Sequence, residues 1–268
     1  MIVSVSRRGD VPAFHSPWFM DCLRRGEAVV ANPFRPKQSR VVDLRRDAVA
    51  ALVFWSRDVR PLMVHLDEID GRGYPYYFLI TLTAYPRSLE PATPGLEAAR
   101  SFFEALAARI GRQRIIWRYD PVLFSTATAW DFHRVNFLKL AGMLAPFAFR
   151  VIVSFFDPYR KALQRLKKYG IDGENAAGSA GQRTQLLAHF AAVAGEFQLE
   201  IQSCAEEASA AGVDPGKCID EKLLNELFGL NLAYRKDPNQ RKLCLCQESV
   251  DIGSYGTCRH GCLYCYAR

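Results

Sequence analysis

Six short runs of β-favouring apolar residues punctuate the chain. They are Ile2-Val3-Ser4-Val5-Ser6, Ala51-Leu52-Val53-Phe54-Trp55, Tyr77-Phe78-Leu79-Ile80-Thr81-Leu82, Ile115-Ile116-Trp117-Arg118-Tyr119, Val151-Ile152-Val153-Ser154-Phe155 and Leu199-Glu200-Ile201-Gln202-Ser203. Most are apolar at nearly every position rather than at alternate ones, the pattern of a strand covered on both faces. Segments of helical length separate them, so the chain reads as repeated βα units and a parallel sheet. The expected fold class is α/β, a parallel (β/α) barrel, full or partial. Val29 to Phe34 and Arg40 to Leu44 flank a Pro-containing turn and predict an inserted hairpin near residues 29–44. The 3.6-residue period predicts helices from Gly95 to Ile110, with Leu96, Ala99, Phe103 and Leu106 on one face, and from Thr184 to Phe197. Gly170 to Gly181, rich in Gly, Ala and polar residues, reads as a loop. After about residue 235 a Cys, Gly and Tyr-rich stretch without helical period follows, as expected of a segment ordered by metal. A barrel domain over residues 1–235 and a metal-binding tail over 236–268, packed on it, are therefore expected.

Composition narrows the partners. Apolar and aromatic residues make up 49% of the 268 positions and charged ones 24%, proportions that fit a folded core and exclude disorder. The net charge of +7 would suit nucleic acid, phosphate or an anionic cofactor. However, the basic clusters Arg7-Arg8, Arg24-Arg25, Arg45-Arg46 and Lys167-Lys168 are short, and no aromatics interleave them as in a nucleic-acid groove. They read as solvated helix faces, and a nucleic-acid partner is not favoured. No apolar run approaches a membrane span, and the N-terminus enters a strand without a signal-peptide pattern, so a cytoplasmic location is expected. There, eight cysteines point to metal or redox chemistry rather than disulfides.

In a parallel barrel the loops after the strands share one face, where chemistry collects. Arg7, Arg8 and Asp10 follow the first run, Arg118, Asp120 and Pro121 the fourth, Asp157 the fifth, and Cys204, Glu206 and Glu207 the sixth. Any of these polar residues could instead cap the next helix. Arg118, at the end of an otherwise apolar strand, would be costly unless its guanidinium met a carboxylate or an anionic ligand. Arg8 with Asp10 is a second case. Arg8, Asp10, Arg118, Asp120 and Glu206 are thus the candidate catalytic residues, and Arg7 a candidate for cofactor binding. His15, His65, His133 and His189 are scattered and read as surface or core imidazoles.

Cys258-Arg259-His260-Gly261-Cys262-Leu263-Tyr264-Cys265 puts three residues between the first two cysteines and two between the last two. Three thiolates on a short loop can bind three irons of a [4Fe-4S] cube and leave the fourth open; zinc or unliganded core thiols are the competing readings. With Cys22 set aside as a helical core residue, Cys204, Cys218, Cys244 and Cys246 remain. Four thiolates suffice for a second centre, an auxiliary [4Fe-4S] cluster or a tetrahedral zinc, unless Cys204 and Cys218 are merely buried.

The tail spacing, with an aromatic before the third cysteine, resembles the cluster loop of radical-SAM enzymes. That resemblance implies S-adenosylmethionine on the open iron, Tyr264 near its adenine, an electron donor such as flavodoxin or ferredoxin, and a small-molecule or other substrate. In that superfamily the loop follows the first barrel strand. Here it stands near the C-terminus, so the order looks circularly permuted, with Asp251-Ile252-Gly253 supplying the preceding strand; no Gly-Gly-Glu stretch is present. Over nearly its whole length the chain also resembles a bacterial domain-of-unknown-function family, number 1848, with a cysteine-rich C-terminus. The residues carrying this are Ser4-Val5-Ser6-Arg7-Arg8, Asp10 to Phe14, Asn32-Pro33-Phe34 with Pro36-Lys37-Gln38, Val53-Phe54-Trp55 and Trp117 to Pro121. Cys204 to Glu207, Lys217 to Asp220, Asp237 to Gln240 and Asp251 to Tyr255 complete the set. The function expected is an iron-sulfur, radical-SAM-like enzyme, the alternative a non-catalytic zinc or iron-sulfur protein that is structural or binds nucleic acid.

Overall fold

All six apolar runs are strands of one parallel sheet in the computed structural model, which describes residues 1–32, 35–171, 175–206 and 211–268. The chain begins with β1 (Ile2–Val5), α1 (Val11–Phe14) and α2 (Ser16–Arg25), then the hairpin β2 (Glu27–Asn32) and β3 (Arg35–Asp43). β4 (Ala51–Ser56), α3 (Arg60–Met63), α4 (Leu66–Gly71), β5 (Tyr76–Thr81), α5 (Leu96–Ile110), β6 (Ile115–Val122) and α6 (Trp130–Leu144) follow. β7 (Arg150–Phe155), α7 (Arg160–Lys168), α8 (Ala180–Glu196), β8 (Glu200–Ser203), β9 (Asp214–Pro215), α9 (Glu221–Phe228) and β10 (Val250–Asp251) complete it.

The eight-stranded sheet runs β10-β1-β4-β5-β6-β7-β8-β9. Each strand after β1 lies beside its successor, and the last strand in sequence pairs with the first through Val3↔Val250 and Ser4↔Asp251. This is the cyclic order a (β/α) barrel requires. The edges β9 and β10 have no mutual pairing among the described residues, so the sheet is open there. All eight strands being parallel, their C-terminal ends share one rim.

Side chains alternate along each strand, which sorts them into two layers. On one face Val5, Phe54, Phe78, Trp117 and Val153 pack against Phe19 and Met20 of α2, Phe103 of α5, Phe137 of α6 and Phe190 of α8. On the other, Ile2, Val53, Trp55, Tyr77, Leu79, Ile116 and Ile152 pack against Leu223 and Leu224 of α9 and four cysteines. Helices on one face, and α9 with the four cysteines on the other, explain why the strand runs are apolar at almost every position.

The hairpin is antiparallel as expected, though Pro33 and Phe34 of its turn lie outside the described residues. α8 starts at Ala180, earlier than the predicted Thr184, because Ser179 and Gln182 form a capping box. It takes Ala180 and Gly181 from the predicted loop, of which residues 172–174 lie outside those described. The two-residue strands β9 and β10 are too short for any periodicity to mark them.

His133 of α6 is a core imidazole. Its Nε2 donates to the Leu123 carbonyl at 3.0 Å, which leaves Nδ1 to accept from the Tyr119 hydroxyl at 2.9 Å. Burial lowers its pKa to about 4. A group depressed in the folded state contributes stability above its unfolded value of about 6.5 and loses it as pH falls through the folded one. Between pH 7 and 4 the wild type should therefore lose about 3 kcal/mol more unfolding free energy than His133→Asn, measured by urea denaturation at each pH. Parallel slopes in the two proteins would refute the assignment.

Candidate metal centres

Four thiols from three segments meet at the rim. Cys204 is the first residue beyond β8, held by its N–H to the Val153 carbonyl at 2.8 Å. Cys218 follows a turn at Gly216, whose N–H donates to Ser203 O at 2.6 Å. A Cβ on Gly216 would meet Gln202 Cβ at 2.6 Å, so a glycine is required where the chain doubles back over β8. Cys244 and Cys246 arrive from the tail, fixed by Gln247 N–H to Ile219 O at 2.9 Å and by Asp237 N–H to Cys246 O at 3.0 Å. The Sγ atoms of Cys204, Cys218 and Cys246 all lie within 4.8 Å of one another, and Cys244 is in hydrogen-bonding contact with Cys204 and Cys246. All four are buried. Hydrogen bonds from Cys204, Cys218 and Cys244 hold the Cys246 thiol well below its ordinary value. A buried thiol set this dense could hold a metal ion.

Three arginines surround these thiols. Burial opposes the Arg118 charge, but Asp120, Cys218 and Cys204 outweigh it and raise its pKa. Arg7 feels Cys246, Asp251 and Asp237 in the same way, and Arg241 feels Cys204, Asp157 and Asp120. Arg118 donates to Asp120 and, at 3.3 Å, to Thr81 Oγ1, so it meets the carboxylate its position demanded.

The second cysteine group stands on the loop after β10. Asp251 anchors that loop by accepting from Ser4 Oγ at 2.7 Å, Ser6 Oγ at 3.0 Å, Arg7 N at 2.7 Å and Gly253 N at 2.9 Å. A side chain on Gly253 would collide with Ser6. The anticipated strand before the loop therefore exists as Val250–Asp251, parallel to β1. Cys262 is buried, while Cys258 and Cys265 are partly exposed; burial pushes Cys258 to about 11 and Cys262 to about 12. These three Sγ atoms do not all fall within 4.8 Å of one another.

Protein contacts hold this loop without help from metal. The Leu263 N–H donates to Leu89 O at 3.0 Å, and the Ala92 N–H to His260 O at 3.1 Å. Arg165 donates to the Leu263 carbonyl at 3.0 Å and to that of Cys265. His260 Nε2 lies 2.8 Å from Asp10 Oδ2. The Tyr264 hydroxyl donates to Glu90 and accepts from Arg57 at 2.6 Å, while Arg57 pairs with Glu90 at 2.9 Å. The Arg57 guanidinium also faces Cys262 and Cys265, where a cation favours the thiolate. Beside this network a cavity of about 270 Å³ is lined by Arg57, Thr81, Tyr85, Arg87 and Glu90.

The other anticipated residues divide by what they touch. Asp10 caps α1 through Ala13 N at 3.0 Å, and also accepts from Ser56 Oγ and Arg57 N, each at 2.7 Å. It thereby ties β1, β4 and the cysteine loop together. Arg8 lies 3.9 Å from Asp251 and beside the Tyr255 ring. Asp120 accepts from Arg118 and Ser154. Glu206 accepts from Phe155 N at 2.9 Å, and burial raises its pKa. Asp157 pairs with Arg241 at 2.6 Å, and Glu207 lies outside the described residues. Arg57 was overlooked although Ser56-Arg57-Asp58 follows the second apolar run as Arg118 follows within the fourth. Glu90, Asp237, Arg241 and His260 join through contacts that local sequence does not signal.

A protein-family model described as a domain of unknown function, DUF1848, matches residues 2–267. No curated protein and no solved structure matches the chain. No helix among the described residues is long and apolar enough to cross a membrane.

Proposed function

The chain belongs to the DUF1848 family, and we propose from its own residues that it is an iron-sulfur enzyme with a second, closed metal site at the same rim. Cys258, Cys262 and Cys265 would hold a [4Fe-4S] cluster with one open iron, and Cys204, Cys218, Cys244 and Cys246 a single tetrahedral ion, zinc. The observation that carries this reading is the gathering of the buried Cys204, Cys218 and Cys246 thiols within 4.8 Å of one another. Tetrahedral Zn–S bonds of about 2.3 Å put sulfurs about 3.8 Å apart, which suits Cys204, Cys218 and Cys246 gathered within 4.8 Å, and Cys244 beside them would complete the set. The tail cluster is supported by the spacing of Cys258, Cys262 and Cys265 along one short loop, three residues and then two. The position of the tail loop supports the same reading, since it follows an edge strand and opens onto the rim shared by all the strands.

A cluster bound there would supply one electron to a sulfonium such as S-adenosylmethionine, breaking a C–S bond to give a 5′-deoxyadenosyl radical and methionine. The electron would come from a flavodoxin or ferredoxin. In this reading Arg57 stabilises the thiolates of Cys262 and Cys265, Tyr264 pins the third cysteine through Glu90, and the Asp10–His260 contact fixes the middle of the loop. Arg118, Asp120 and Glu206 stand at the rim to orient a substrate or move a proton.

Protein prepared without oxygen should contain about four irons, four sulfides and one zinc. The EPR signal of the dithionite-reduced sample should shift when S-adenosylmethionine is added. Zinc without iron, or a signal blind to the cofactor, would overturn the enzymatic reading.

A further inference from the structure

Three buried donors at the rim have no acceptor among the described residues: Arg7 Nη1, Arg118 Nε and Trp55 Nε1. Two of them flank the ring that carries the third, the Arg118 guanidinium 4.8 Å and that of Arg7 5.8 Å from the centre of the Trp55 indole. Their remaining N–H groups are engaged, Arg7 Nη2 with Asp237 and Ser249, Arg118 with Asp120 and Thr81, so each guanidinium is already aimed and held. Nor do the nearby thiols take the free donors, although an arginine-to-sulfur bond occurs elsewhere, from Arg25 to Cys22 at 3.4 Å. Buried donors left without partners are rare in native proteins, and three around one indole call for a shared acceptor.

We propose that this spot binds the oxyanion of a small substrate, a carboxylate or a phosphate, between the two cysteine groups. The three unengaged groups are all N–H donors, which suits an acceptor-only group such as an oxyanion and rejects an ammonium, even with Asp237 and Asp120 paired to the two guanidinium groups. Access comes from the rim, where the Arg7 and Arg118 side chains keep 13% and 17% of their surface and half-exposed Tyr266 forms the lip, its hydroxyl donating to Arg7 O at 2.7 Å. Tyr266 also connects the spot to the tail group, since it follows Cys265 in sequence and its hydroxyl reaches the backbone of Arg7. Arg118 faces Cys218 and Cys204, and Arg7 faces Cys246. An anion held here would stand beside the closed metal site and within the region served by the tail cysteines. The inference identifies the substrate class of the proposed enzyme, yet the binding itself does not depend on cofactor cleavage, so the two readings fail separately.

Metal-loaded protein should be titrated with inorganic phosphate and with succinate by calorimetry, with chloride at matched ionic strength as the reference. Saturable binding of phosphate alone would assign a phosphorylated substrate, and of succinate alone a carboxylate. Trp55→Phe keeps the ring and removes one donor, and Arg118→Gln removes the charge. Each should weaken binding at least tenfold with iron and zinc content unchanged. Binding of neither probe above chloride, or binding that both variants leave intact, would overturn the proposal. So would loss of zinc from Trp55→Phe, because the donors would then serve the metal site.

Discussion

Replacing Cys262 with alanine is expected to strip about four irons and four sulfides from the protein and leave its zinc in place. Cys262 is the central and most buried of the three tail thiols, and a cube held by three ligands does not survive on two. The fold should survive, because the loop is anchored by bonds that do not involve sulfur: Leu263 to Leu89, Arg165 to the carbonyls of Leu263 and Cys265, His260 to Asp10 and Tyr264 to Glu90. Iron, sulfide and zinc analysis beside a thermal melt separates the possibilities. Iron lost with the melting temperature nearly kept supports a tail cluster serving chemistry. Unchanged iron would remove the cluster from these cysteines, and a collapse of the melting temperature would make it a staple for the tail.

The sheet was legible because its strands are covered twice. Ala51 to Trp55 is apolar throughout, and Val151 to Phe155 at every position but Ser154, since helices cover one face and α9 with the thiols the other. β9 and β10 have two residues each, and what makes β10 a strand is its pairing with β1 across the whole length of the chain, which no local pattern records. The chemistry divides the same way. The Cys258, Cys262 and Cys265 spacing is local and was read directly, and the gathering of Cys204 and Cys218 with Cys244 and Cys246 was inferred from what remained. The partners of these groups were not legible. Asp10 reaches His260, Arg57 reaches Tyr264 and Arg7 reaches Asp237, pairs that only the closing of β10 onto β1 brings together.

Cys246→Ser should have the opposite profile, with zinc lost and iron kept. Cys246, like Cys204, meets all three other thiols of the second group, so its loss leaves few contacts among them. The segments that supply this group, residues 204–206, 216–219 and 237–247, contain no helix and only isolated bridging, so a few backbone bonds such as Gly216 to Ser203 and Gln247 to Ile219 tie them together and a bound metal would add the rest. Structural zinc contributes apparent binding energies of about 10–16 kcal/mol in small domains. Here the core around the eight-stranded sheet carries part of the load, and a loss of about 5 kcal/mol, or about 10–20 °C in melting temperature, is expected. The loss should localise to the open side of the sheet, where Cys204 and Cys218 lie beyond β8 and β9 and the tail must reach back to meet them. Limited proteolysis should then cut within residues 229–249 of the variant and spare the wild type, while prolonged chelation of the wild type reproduces the variant. A melting temperature within about 2 °C of the wild type would show that these thiols pack as an ordinary core and that the closed metal site is wrongly assigned.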